Sequence, residues 1–334
     1  FFQFSELNGE TMENIEFKFI ESNGIKIRLA MMGEGPLVVF CHGWPESWYS
    51  YRYQLPAVAE MGYKAVAYDV RGYGESDKPH DIEAYTMKNM TDDVIGIVDA
   101  LGYKTAITIG HDWGGPIALN TAALNEDRIT ATGTMSVPFT GRSPMPPLDL
   151  WKEIFKDNFF YQLYFQEEGK AEKEFESDLS KALYTTYTNS DGRGMKFNFE
   201  KGQSGLVPTK DKHSTFLEGQ EVFDDFPKWF TQEDLDYFVS QFEISGLRGP
   251  FNRYRAQNID WYELPELEGA VLQQPAFFIT GTLDPVNFFI PSSEPLIERI
   301  GKNYKNLLFA EELEGIGHWT QQEAPEEVNR LILK

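Results

Sequence analysis

A chain of 334 residues with 41% hydrophobic and 15% aromatic residues can bury a sizeable core, either as one large domain or as two small ones. Its formal charge of −22 repels phosphate backbones and anionic lipid surfaces, which argues against nucleic-acid binding and membrane insertion, and no apolar run reaches membrane-spanning length. The one cysteine, Cys41, excludes an intramolecular disulfide and fits a cytoplasmic location.

Phe1 to Phe4 are apolar but lack the basic flank and cleavage-site pattern of a signal peptide. Further on, short apolar runs alternate with helical patterns, the signature of a mostly parallel sheet covered on both faces. The run LVVFC at 37–41 reads as a buried strand, and His42-Gly43-Trp44-Pro45 follows it directly. A second strand, AVAYDV at 65–70, leads into Arg71-Gly72-Tyr73-Gly74-Glu75-Ser76. That loop lacks the third glycine of a dinucleotide-binding G-x-G-x-x-G and reads as a tight turn. Met87, Met90, Val94, Ile97, Val98 and Leu101 then recur at helical spacing, with Thr86 as the cap and Gly102 as the stop. A strand at 105–109 runs into Gly110-His111-Asp112-Trp113-Gly114-Gly115, and further strands are expected at 129–135, 276–280 and 307–310.

Between residues 140 and 266 this alternation stops. A proline-rich stretch at 142–150 opens a region dense in Tyr, Phe and Trp, with helical patterns throughout. Thr231-Gln232-Glu233-Asp234 forms a capping-box pattern ahead of Leu235, Phe238, Val239 and Phe242. Because strands resume afterwards, residues 140–266 are expected to be a helical cap, or lid, inserted into a core made of 1–139 and 267–334.

The chemistry concentrates at Asp112. A strand, a tight turn and a helix succeed one another there, with Gly110 and Gly114 two residues to either side of the aspartate. This is the nucleophile-elbow arrangement G-x-S-x-G, with aspartate where serine usually stands. Aspartate is also a favoured helix cap, so the motif alone would not settle its role. Three companions do: His42-Gly43-Trp44-Pro45 after an earlier strand, Asp284 after the strand at 276–280, and His318 in Gly315-Ile316-Gly317-His318-Trp319 after the last strand. Nucleophile, acid, histidine is the chain order of an α/β-hydrolase fold. Of the other histidines, His42 and His111 read as hydrogen-bonded residues beside the site, and His80 and His213 as solvated. No histidine pair has zinc-ligand spacing and no H-E-x-x-H or C-x-x-C occurs, so no metal is expected.

A carboxylate attacking a carbonyl gives only a mixed anhydride. Attack on an electrophilic sp³ carbon gives a stable alkyl ester that activated water can hydrolyse. The substrates are thereby limited to epoxides and carbon–halogen bonds.

From about Ile15 onward the chain resembles the epoxide hydrolases of the α/β-hydrolase superfamily, and in particular the hydrolase domain of the mammalian soluble enzymes. The resemblance rests on HGWPE (42–46), DVRGYGESDKP (69–79), GHDWGG (110–115) and GHWTQ (317–321). It implies no counterpart of the phosphatase-like N-terminal domain of those enzymes, and Glu168 stands where the family commonly has proline. In the family two lid tyrosines serve the epoxide oxygen; the matching stretches here, FYQLYFQ (160–166) and RGPFNRYR (248–255), put them at Tyr161 and Tyr254. A tyrosine suits that task because it donates a hydrogen bond and stays protonated at neutral pH.

The resemblance thus implies conversion of a lipophilic epoxide and water to a vicinal diol, with no cofactor. Asp112 is the expected nucleophile, with Asp284, His318, Tyr161 and Tyr254 as its catalytic partners. The backbone N–H groups of Trp44 and Trp113 are the expected oxyanion donors, and the usual turn of the motif implies a cis Trp44–Pro45 bond. Dehalogenation of a haloalkane or haloacid is the alternative, since indole N–H groups at Trp44 and Trp113 could hold a halide. A ligand-binding member of the fold without turnover is a second alternative, and the chain is expected to be a monomer or homodimer.

Overall fold

The computed structural model describes residues 14–202, 210–290 and 292–334; Phe1 to Phe4 lie outside the described residues. Eight strands form one sheet in the order β1-β2-β4-β3-β5-β6-β7-β8. They are β1 (Glu16–Ser22), β2 (Ile25–Met32), β3 (Leu37–Cys41), β4 (Lys64–Tyr68), β5 (Ala106–His111), β6 (Ile129–Met135), β7 (Leu272–Gly281) and β8 (Tyr304–Leu313). From β4 through β8 every pairing is parallel; β1 and β2 join the edge antiparallel.

The parallel strands are continuous apolar runs because both faces of the sheet are covered. Val39 and Cys41 turn to one face, packing with Val94 and Ile97 of helix Met87–Ala100 and Ile117 of helix Gly114–Leu124. Val38 and Phe40 turn to the other, with Leu55 and Val58 of helix Gln54–Glu60 and Val328 and Leu331 of helix Pro325–Ile332. Fully burying each such side chain contributes roughly 1.5–3 kcal/mol, so the two faces lock the sheet between helical layers.

The expected stop signals are present. Thr86 accepts from Asn89 N–H at the start of helix Met87–Ala100. At its end Gly102 N–H bonds to Asp99 and Tyr103 N–H to Val98, a Schellman closure. Thr231 and Asp234 cap helix Gln232–Ser245 reciprocally, as their spacing predicts. The strand edges differ from the sequence expectation by several residues: β7 and β8 are each ten residues long, and β5 runs on to His111. The β1–β2 hairpin did not come out of the sequence reading. Its signal was present in the Asn23-Gly24 turn, both residues with positive φ, and in the alternation of Ile25, Ile27, Leu29 and Met31.

Between β6 and β7 the chain forms helices, including Tyr161–Tyr164, Leu179–Ser190, Gln232–Ser245, Arg248–Arg255 and Gln257–Glu263. They are anchored to loops at the C-terminal ends of the parallel strands. Trp48 Nε1 donates to Tyr237 at 2.7 Å, Arg52 pairs with Asp234 at 3.2 Å, and Asn252 donates to the His80 carbonyl at 3.1 Å. No described helix is long and apolar enough to cross a membrane.

Candidate active site

In an open α/β sheet the crevice lies beyond the carboxyl ends of the strands. Register brings the candidate residues to that end: Cys41 of β3 is paired with Gly110 of β5, and His111 with Met135 of β6. Asp112 is the first residue beyond β5 and has φ 51°, the left-handed region that a non-glycine residue seldom adopts. The flanking glycines are required by close approach. A Cβ on Gly110 would sit 1.9 Å from the Gly114 carbonyl oxygen, and one on Gly114 would sit 1.8 Å from that of Cys41.

Asp112 is buried, 7% exposed. Its Oδ1 accepts from Trp44 N–H at 2.7 Å, and its Oδ2 lies 3.4 Å from His318 Nε2. The other nitrogen of that ring, Nδ1, is 3.1 Å from Asp284 Oδ1 and 3.2 Å from Ser136 Oγ. Trp44–Pro45 is cis. Trp113 is the N-cap of helix Gly114–Leu124, so its backbone N–H belongs to the open end of that helix.

The electrostatics follow from burial and pairing. Burial alone would lower His318, but the charges of Asp284 and Asp112 with their hydrogen bonds outweigh it and raise it well above the usual histidine value. Burial would raise Asp284, yet His318, Ser136 and Val286 N–H hold it below the ordinary aspartate range. His42, buried, is pushed down to about 4 and stays neutral. Because Val70 N–H donates to its Nε2, the proton resides on Nδ1, which donates to the Gly43 carbonyl. His80 and His213 are exposed.

Tyr161 and Tyr254 come together across the lid. Their rings meet edge-to-face at 5.7 Å, and Tyr254 meets Trp113 at 5.4 Å. Burial, and then the Asp112 charge, push Tyr161 up; Tyr254 is raised by burial, by Tyr161 and by Asp112. Both phenols therefore keep their protons near Asp112.

The main chain of His318 is fixed on both sides, by Ser190, which the sequence did not mark, and by His111, expected as a hydrogen-bonded residue beside the site. The His318 N–H donates to the Ser190 carbonyl at 2.8 Å, and its carbonyl lies 2.6 Å from His111 Nε2. His111 Nδ1 is in turn 2.8 Å from Glu46, a fully buried carboxylate that also accepts from Gly43 N–H and Gln321. Burial raises Glu46, but His111 more than offsets it and leaves the carboxyl at about 2. Glu46 was present in the HGWPE motif as a carboxylate between buried aromatics, which was its one signal. Ser136 had none.

Glu323 closes the same loop from the other side. Its carboxylate accepts from Gly317 N–H, from Trp319 N–H and from Gly192 N–H of lid helix Gly192–Glu200 at 2.9–3.0 Å. Its side chain is only partly buried. The enclosed carboxyl is nonetheless pushed up to about 8 by burial and then by Asp191, against the pull of those donors. A carboxyl raised in the folded chain gives stability that is full below its ordinary value of 4.5 and is lost as pH rises through about 8. The thermal unfolding midpoint should therefore fall between pH 6 and pH 9, and fall less in Glu323→Gln. Parallel curves for the two proteins in a calorimetric pH series would place the effect elsewhere.

Among the described residues no group of three or more His, Cys, Asp or Glu side chains gathers in a way that could hold a metal. Comparison with known proteins identifies the family. The profile of the α/β hydrolase fold matches residues 36–325. Epoxide hydrolase A of Mycobacterium tuberculosis is 35% identical, with 95% of this chain and 96% of that protein covered. The bifunctional epoxide hydrolase 2 of Rattus norvegicus is 34% identical over 93% of this chain, which spans 53% of that longer protein. Among solved structures, an epoxide hydrolase from an endophytic Streptomyces superposes with a TM-score of 0.87 at 40% identity, covering 96% of this chain and 94% of its own. The chain belongs to the α/β-hydrolase fold family, and within it to the epoxide hydrolases.

Proposed function

We propose that the protein hydrolyses a lipophilic epoxide to a vicinal diol through a covalent ester on Asp112, with residues 140–266 acting as the cap that supplies both tyrosines. The observation that carries this reading is a carboxylate, not a hydroxyl, at the elbow, with two protonated phenols beside it. Asp112 attacks the less hindered epoxide carbon from the side opposite oxygen. The C–O bond breaks as the new bond forms, and the oxygen takes a proton from the tyrosine pair.

The charge on His318 gives the second step its timing. While Asp112 is a carboxylate, two anions hold the imidazolium. Esterification removes one of them, so the imidazolium releases its proton, which restores the tyrosine. The neutral ring, oriented by Asp284, then takes a proton from water, and the hydroxide attacks the ester carbonyl. Trp44 and Trp113 N–H groups hold the oxyanion, a contribution of about 3–4 kcal/mol per donor. As the diol leaves, its oxygen takes the remaining proton of the water, which regenerates the Asp112 carboxylate and the imidazolium.

The aromatic surroundings of Trp44, among them Phe165, Phe216 and Phe251 at 5.1–6.0 Å, favour an apolar substituent. The acidic surface and lone buried Cys41 suit a cytoplasmic monomer or homodimer without a nucleic-acid partner. Turnover of styrene oxide and of a short bromoalkane should be measured side by side, with products separated by chromatography. Diol without bromide is the expected result. Bromide release without diol would mean that the tyrosines only pack the lid.

A further inference from the structure

Gln162 is the residue next to Tyr161, 7% exposed, and its Nε2 donates to the Tyr161 phenol oxygen at 3.0 Å. Its own Oε1 accepts from Gln257 Nε2 at 3.0 Å, and the same Gln257 nitrogen donates to the Tyr254 main-chain carbonyl at 3.0 Å. This chain of contacts fixes which way each amide faces. A carbonyl can only accept, so the Gln257 atom beside Tyr254 must be its nitrogen. Both hydrogens of that nitrogen are then used, and the Gln162 atom facing it must be oxygen. The Gln162 amino group is therefore turned to Tyr161 with no freedom to flip. Gln166 Nε2 ties down the Gln162 main-chain carbonyl at 2.7 Å and completes the bracket.

A donor on a phenol oxygen does two things. It occupies a lone pair without consuming the hydroxyl proton, which stays free for an acceptor in the cavity. It also stabilises the negative oxygen that forms as that proton leaves. The Tyr254 hydroxyl is helped in the same sense by the Trp113 side chain, edge-on to its ring, whereas Tyr161 has both Gln162 and Tyr254 as hydrogen-bond partners.

We infer that Gln162, held by Gln257, is a positioning residue that makes Tyr161 the proton donor of the pair and leaves Tyr254 to hold the epoxide oxygen by a hydrogen bond. In the first step the Asp112 oxygen–carbon bond forms and the epoxide C–O bond breaks. The bonding pair goes to the epoxide oxygen, which takes the Tyr161 proton. The phenolate rests on the Gln162 N–H until the His318 imidazolium, released from one of its two carboxylates, returns a proton. This rests on the epoxide-opening reading of the lid.

The test is single-turnover kinetics of the full chain with styrene oxide, following ester formation and ester hydrolysis separately. In Gln162→Leu, ester formation should slow about tenfold, the size of one lost hydrogen bond, with ester hydrolysis unchanged. Gln257→Leu should show the same split more weakly and serves if the first variant folds poorly. The double variant Gln162→Leu/Tyr161→Phe should match Tyr161→Phe alone, because the amide then has no hydroxyl to act through. Normal ester formation in Gln162→Leu, equal slowing of both steps, or a loss that adds to that of Tyr161→Phe would overturn the inference. Unchanged ester formation in Tyr161→Phe itself would remove the lid reading as well, which separates the two failures.

Discussion

In a His318→Gln variant the alkyl ester on Asp112 should form and then persist. Opening the epoxide requires a free carboxylate and a proton donor, and neither is His318. The ring is nevertheless a base in reach of the reacting carboxyl, with Nε2 3.4 Å from Asp112 Oδ2 and Nδ1 held by Asp284 at 3.1 Å. Glutamine keeps a polar side chain of similar reach but cannot take a proton from water. One equivalent of epoxide should be consumed in a burst, the intact protein mass should rise by the mass of the epoxide, and steady turnover should drop roughly 10²–10⁴-fold. Asp112→Ala, which has no nucleophile, should show no adduct and is the blank for the mass measurement. Turnover of His318→Gln near the wild-type rate would remove His318 from the mechanism.

The lid tyrosines should fail on the opposite half of the cycle. Tyr161→Phe or Tyr254→Phe deletes one hydroxyl but keeps the ring, so the edge-to-face contacts at 5.7 Å and 5.4 Å survive. Losing one donor to a developing oxyanion slows its step by about 10²–10³-fold, so the double variant should form ester about 10⁴-fold more slowly or worse. Any ester that forms should be hydrolysed at the normal rate, because the His318 pair is untouched. Rapid-quench detection of the ester distinguishes this from a general loss of folding. A double variant that opens epoxides normally would show the hydroxyls to be bystanders.

The proposed nucleophile and its elbow could be read from the sequence where their constraints are local. Gly110 is forced by its close approach to Gly114 within a single strand–turn–helix unit, although Gly114 itself is forced by the Cys41 carbonyl of the neighbouring β3, and Thr86 and Thr231 cap helices through residues three positions away. Tyr161 and Tyr254 were reachable only through family resemblance, since nothing local marks two tyrosines out of sixteen. The long-range partners that support the site were not readable. Glu46 meets Gln321 across 275 positions, His111 meets the His318 carbonyl across 207, and Gln257 meets Gln162 across 95. Each of these pairs joins segments that are far apart in the chain and meet only in the folded structure, and no spacing rule encodes that. The β1–β2 hairpin differs: its Asn-Gly turn and alternating pattern are local, but an antiparallel edge strand lacks the continuous apolar run that marks the parallel strands.

The strands β6 and β7 lie side by side, with Thr132 beside Ala276 and Met135 beside Ile279, although residues 136–271 separate them in the chain. Replacing an ordinary crossover of about a dozen residues by a segment of that length adds about 2 kcal/mol to the entropy of closing the loop. The burden is more one of time than of stability. During synthesis Trp44 and Asp112 emerge early, and β6 waits with an open hydrogen-bonding edge until β7 is made. Only then do Asp284 and His318 follow, so the proposed catalytic set is completed last, and a ribosome that stalls between residues 112 and 318 leaves a chain with the proposed nucleophile and without the histidine that would free it.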